Sequence, residues 1–191
     1  MYAREVDDKT LTFDFAEGLI KDNLLFVDRE THSIWSQLDN QAVSGEMKGA
    51  SLQVIPSLQT TWRHWRESHP RTKVAIVENK EGRPYIYRTW RAGQLRPKER
   101  PTTHNTANLG LGLTVGGQTI FFPFRTLEET TIPLRLQMGE TNVVIHYKKE
   151  AYTAWAEDES GKLLPGVLAY KSGWLDFNPN SEVYKTSNAL K

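Results

Sequence analysis

The stretch Asp22 to Leu38, DNLLFVDRETHSIWSQL, constrains the fold of this chain most. An apolar run, Leu24 to Val27, meets a polar turn from Asp28 to Thr31 and then a second strand-like run around Ile34 and Trp35. Two such runs separated by a polar segment predict an antiparallel hairpin with a loop of several residues.

The same period-two pattern recurs on both sides. Leu11, Phe13 and Phe15 alternate with polar residues, which predicts a half-buried strand. Leu52 and Val54 alternate beyond a turn punctuated by Gly45 and Gly49. Leu109, Leu111, Leu113 and Val115 alternate with small residues up to Gly116-Gly117, a two-residue hairpin turn, and Ile120, Phe122 and Phe124 alternate in the return strand. Further strands are predicted at Lys73 to Val77, Ile132 to Leu136, Thr141 to Tyr147, Ala151 to Ala156 and Val167 to Tyr170. One short helix is expected after Thr60 or Thr61, either of which can cap it, with Trp62 and Trp65 on one face. His69-Pro70 ends it, because the residue before proline is pushed out of the helical region. The fold class that follows is α+β, mostly antiparallel β, with one or two short helices in a single domain of 191 residues. Trp35, Trp62 and Trp65 are expected in the core beside Phe13, Phe26 and Val74.

The chain also resembles itself. Trp65 and Trp174 each stand five residues before a proline, Pro70 and Pro179, and each proline is followed by Thr72 or Ser181 and then by Val74 or Val183. Upstream, YAREVDDKTL from Tyr2 is similar to AWAEDESGKL from Ala154. Two related lobes are expected, over about 1–78 and 130–186, the second abridged between Leu164 and Gly173. Between them lie the 109–124 hairpin and an irregular excursion over 79–108, which has three prolines, two glycines and little apolar pattern. Loops of that length tend to carry function.

Charge narrows the classes of activity. Twenty-four Lys and Arg against 23 Asp and Glu give +1, a balance that argues against a dedicated polyanion binder. Without cysteine, the chain offers no disulfide, thiolate nucleophile or cysteine-held metal centre of its own. No apolar run approaches a membrane span, and the charges at Arg4, Glu5, Asp7 and Asp8 are unlike a secretory leader.

Asp28-Arg29, Thr31, Ser33, Trp35, Ser36 and Gln37 resemble the hallmark of a bacterial family, domain of unknown function 3179. The resemblance extends through Trp62, Trp65, His69 and Pro70, through Leu95 to Arg100, and through Leu109-Gly110 to Phe122-Pro123. It implies an extracytoplasmic location, periplasmic or secreted, since members usually carry an export signal. The family's Cys-Pro strand is expected just upstream of the segment matching Tyr2 to Phe13, and the chain starts where that strand should end. No activity comes with the family.

Three functional readings follow. In the first, the protein is a non-catalytic binding or assembly module of the cell envelope with a protein partner or a second copy of itself. Its partner surface includes the excursion, where Tyr85, Tyr87 and Trp90 are aromatic anchors. In the second, Arg88, Arg91 and Arg96 interleave with those aromatics to bind nucleic acid or another polyanion through residues 83–100. In the third, the protein is an enzyme whose polar site gathers Asp28, Arg29, Gln37 and His69. The simpler view of Asp28 is an Asx-turn, with Thr31 and Ser33 satisfying nearby backbone. The spacing of His32, His64, His69, His104 and His146 gives no helical metal motif, and neither a metal nor a cofactor is expected.

Overall fold

A computed structural model describes residues 1–73 and 108–186. The expected strand at Lys73 to Val77, save Lys73, and the whole 79–108 excursion, save its last residue, fall outside that range, as does the tail from Ser187.

The chain forms an α+β fold of mostly antiparallel sheets around two separate cores. In the first lobe, β1 (Glu5–Val6) and β2 (Lys9–Thr10) make a small ribbon. A four-stranded sheet follows, from β3 (Phe13–Ile20), β4 (Asn23–Asp28), β5 (Ile34–Ser36) and β6 (Ala42–Ser44), in that order. The expected hairpin is β4 with β5, paired Leu25 to Ser36, Phe26 to Trp35 and Val27 to Ile34. Val6, Leu11, Trp35, Ala42 and Leu52 are the buried core of this lobe.

Helix α1 (Trp62–Ser68) starts at Thr61, whose hydroxyl accepts from the His64 N–H, and stops at His69. Of the three tryptophans expected inside, only Trp35 is fully buried; Trp65 is half-buried and Trp62 is 51% exposed. A seven-residue helix offers one docking point, and here it is Trp65. Trp65 stacks on His69 with ring centroids 3.9 Å apart and donates to Thr72. Trp62, on the first turn, meets no such partner among the described residues.

The second core joins the 109–124 hairpin, expected between the two lobes, to strands from the 130–186 region, and the two together form the second lobe. β7 (Leu109–Val115) turns through Gly116 and Gly117, both at positive φ, into β8 (Gln118–Pro123). β12 (Gly166–Tyr170) flanks β7, and β13 (Glu182–Val183) runs parallel to β8, giving the order β12-β7-β8-β13. A three-stranded sheet, β9 (Leu134–Met138), β10 (Thr141–Lys148) and β11 (Thr153–Asp158), packs against it. Phe124 does not continue the return strand, as its alternation suggests. Pro123 caps helix α2 (Phe124–Glu128), which buries Phe124 and Leu127 one turn apart. Likewise β11 starts two residues later than expected, because Lys149–Ala151 form a 3-10 turn that ends on Tyr152 in the left-handed region.

Helix α3 (Lys171–Phe177) carries Trp174 against β7, where a Cβ on Gly112 would stand 2.3 Å from the indole. The two tryptophan motifs share their local geometry. The N–H of His69 donates to the Trp65 carbonyl at 2.8 Å, as Asn178 does to Trp174 at 2.9 Å. The Trp65 indole donates to Thr72 Oγ1 and the Trp174 indole to Ser181 Oγ, each at 2.9 Å.

Candidate functional site

Asp28 ends β4 with its side chain fully buried. Its carboxylate accepts from the Thr31 N–H, the Thr31 hydroxyl at 2.8 Å, the Ser33 N–H at 3.2 Å and the Trp35 indole N–H at 2.8 Å. Burial pushes the carboxyl pKa up, but the indole and Thr31 donors outweigh it and hold the group below the usual carboxylate range. The hallmark turn is thus a knot in which one carboxylate satisfies the donors of the loop it closes and ties them to the core tryptophan. Ser33 Oγ extends it by accepting from the Met47 N–H at 3.0 Å. With its oxygens occupied in this way, Asp28 is poorly placed to act as a base.

The other polar candidates do not join it. Arg29 points outward, its guanidinium paired with Asp14 at 2.6 and 2.8 Å on the exposed surface. His69 is exposed and stacked on Trp65. Gln37 faces a different feature altogether: its carbonyl accepts from the Tyr2 hydroxyl, and the residue lines a cleft between the lobes. Of the binding residues expected in the excursion, Tyr85, Tyr87, Arg88, Trp90, Arg91 and Arg96 all lie outside the described residues.

The cleft encloses about 650 Å³. Its first-lobe wall includes Met1 and Tyr2, the β3–β4 turn from Lys21 to Asn23, Gln37 and the segment from Val54 to Gln59. Its second-lobe wall is all of β12, Trp155 on β11, and Ser172, Gly173, Asp176 and Phe177 on α3. Lys21 and Asp22 both sit at positive φ, +49° and +58°, in the two-residue turn. Glycine or asparagine usually fills such positions, and lysine there is strained. Lys21 reaches across the cleft, where its ammonium donates to the Asp176 main-chain carbonyl and lies 5.0 Å from the centroid of the Phe177 ring. A second tie joins the lobes where Lys148 Nζ lies 3.2 Å from His64 Nδ1.

Beside the cleft is a cluster that sequence reasoning missed. On the outer face of β10 and β11, His146 stacks on Trp155 with ring centroids 4.8 Å apart, and the Trp155 indole donates to Glu157 at 2.9 Å. His146 Nε2 lies 3.2 Å from the other Glu157 oxygen, too far off-axis for a hydrogen bond. The alternation of His146 with buried Ile145, and of Trp155 with Ala154 and Ala156, was the available signal. It marks a polar strand face without saying what stands opposite. Among the described residues no group of three His, Asp or Glu side chains is placed to hold a metal ion, and no helix is long and apolar enough to cross a membrane.

No curated protein and no solved structure matches the chain. A family match covers residues 1–179, which takes in the hallmark turn, the helix with its His-Pro stop and both walls of the cleft. The chain belongs to the family described as Protein of unknown function (DUF3179).

Proposed function

We propose that the protein is a non-catalytic binding or assembly module of the bacterial cell envelope, and that its ligand seats in the cleft between the two lobes. The carrying observation is the composition of that cleft. It brings together Phe26, Trp155 and Phe177 with Lys21, Asp22, Gln37 and Asp176 from segments far apart in sequence. Aromatic walls with a few convergent polar groups suit recognition. The side chains that suggest acid–base chemistry are engaged elsewhere: Asp28 by its turn, Arg29 by Asp14 and His69 by Trp65. The envelope location rests on the family resemblance, whose members are usually exported.

The test is to purify the protein from its native source beside a Gly173→Trp variant. Gly173 lines the cleft and a Cβ there would meet nothing within 4 Å, so the substitution adds bulk at the cleft. The reading expects a component that accompanies the wild type and is lost from the variant, with both proteins equally folded. Equal retention by the variant, or turnover of a bound small molecule, contradicts it.

A further inference from the structure

We propose that the cleft takes an extended peptide, which adds to the sheet of the second lobe along the outer edge of β12, unpaired among the described residues. The inference rests on the cleft being the binding site and names the class of ligand.

The turn at Gly116-Gly117 sets which backbone groups of the sheet face which way. In a two-residue hairpin the residues flanking the turn, here Val115 and Gln118, form a hydrogen-bonded pair. Pairing alternates along the strands, so Leu113 with Ile120 and Leu111 with Phe122 are bonded pairs too. The backbone groups of Gly110 and Gly112 therefore point the other way, at β12, where Ala169 and Val167 stand opposite them. Ala169 and Val167 are bonded inward to β7. It follows that Gly166, Leu168 and Tyr170 direct their backbone groups away from the sheet. Gly166 bears this out, since its N–H bonds to the Leu164 carbonyl outside the ladder.

Leu168 and Tyr170 have no such partner among the described residues. Among the described residues no backbone or side-chain group outside the ladder bonds to the Leu168 N–H, the Leu168 carbonyl or the Tyr170 N–H. All five residues of β12 line the cleft. Sheet edges are usually blunted or covered, and one that opens into a cleft is a template for another strand. Donors and acceptors alternating at strand spacing match the backbone of an extended peptide. The side-chain chemistry can also be read. Asp22 and Asp176 bring carboxylates to the cleft, neither in an ion pair among the described residues, while the Lys21 ammonium is engaged by the Asp176 main-chain carbonyl and the Phe177 ring and the Met1 amino group lies 3.5 Å from Ser57 Oγ. A peptide that alternates basic with apolar side chains is complementary to that rim and to Trp155.

The probe is a fluorescent eight-residue peptide of alternating lysine and valine, titrated into the full chain by anisotropy and followed by amide hydrogen exchange. Saturable binding with slowed exchange at Leu168 and Tyr170 is the expected result. The same peptide N-methylated at alternate residues should lose binding. Tyr170→Pro removes an edge donor at φ −71°, which proline adopts, without removing a ladder bond. It should weaken binding about five- to tenfold, the worth of one backbone hydrogen bond. No saturable binding, equal binding of the N-methylated peptide, or protection confined to other strands overturns the proposal. If Gly173→Trp still strips the native component while the peptide fails, the cleft reading stands and the peptide is the wrong ligand.

Discussion

Replacing Asp28 by alanine should destabilise the protein by about 4 kcal/mol. The magnitude follows from the donors left behind. Ser33 and Trp35 are fully buried, so the Ser33 N–H and the Trp35 indole N–H lose their acceptor with no water to replace it. An unsatisfied buried donor costs about 1–3 kcal/mol, and the two together cost roughly 2–6. The Thr31 donors are less buried and add little. Asp28→Asn keeps one acceptor oxygen and should cost about half as much, since its amide N–H₂ must face a donor. Urea unfolding followed by tryptophan fluorescence and circular dichroism measures both. The pH dependence has a definite sign. The folded carboxyl titrates below its unfolded value, so its stabilisation is fully present above the unfolded pKa, near ~4, and is lost as pH falls through the folded pKa. Asp28→Asn should remove that part of the acid-side slope. An Asp28→Ala variant within about 1 kcal/mol of wild type would refute the view that the hallmark turn is a structural knot.

Gly112→Ala should destabilise by about 1–3 kcal/mol, because its Cβ meets the Trp174 ring, which cannot yield without moving α3; thermal unfolding checks it. Trp35→Ala should cost about 3–5 kcal/mol and Trp62→Ala less than about 0.5, a contrast that chemical denaturation of the pair resolves. Arg29→Ala should leave the melting temperature unchanged, since its ion pair with Asp14 is exposed.

Local pattern carried much of the fold into the sequence. The 109–124 hairpin was legible because alternation and a Gly-Gly turn agree, and the Thr61 cap with the His69-Pro70 stop bounded α1. The repeat around Trp65 and Trp174 was legible because the residues that bond the indoles, Thr72 and Ser181, keep the same spacing. Burial was less legible. Helical spacing puts Trp62 and Trp65 on one face but does not say how much of a two-turn helix docks. Helix α2 was hidden because Phe122 and Phe124 sustain a strand period across Pro123, and only the burial of Leu127 one turn on distinguishes the helix. The cleft was out of reach, since its walls come from segments within 1–59 and 111–177, and nothing local says that the two meet. Lys21-Asp22 is the one clue, a polar pair between Ile20 and Asn23 at the length of a two-residue turn.

The most direct test of the cleft as the binding site is photo-crosslinking in the native host, with a photoreactive amino acid at Ser172, which lines the cleft, and at Thr114, on the exposed end of the β7–β8 hairpin. The account predicts a discrete adduct from Ser172 that excess of the unlabelled ligand competes away, and none from Thr114. An adduct from Thr114 alone, or equal diffuse labelling from both positions, would contradict it.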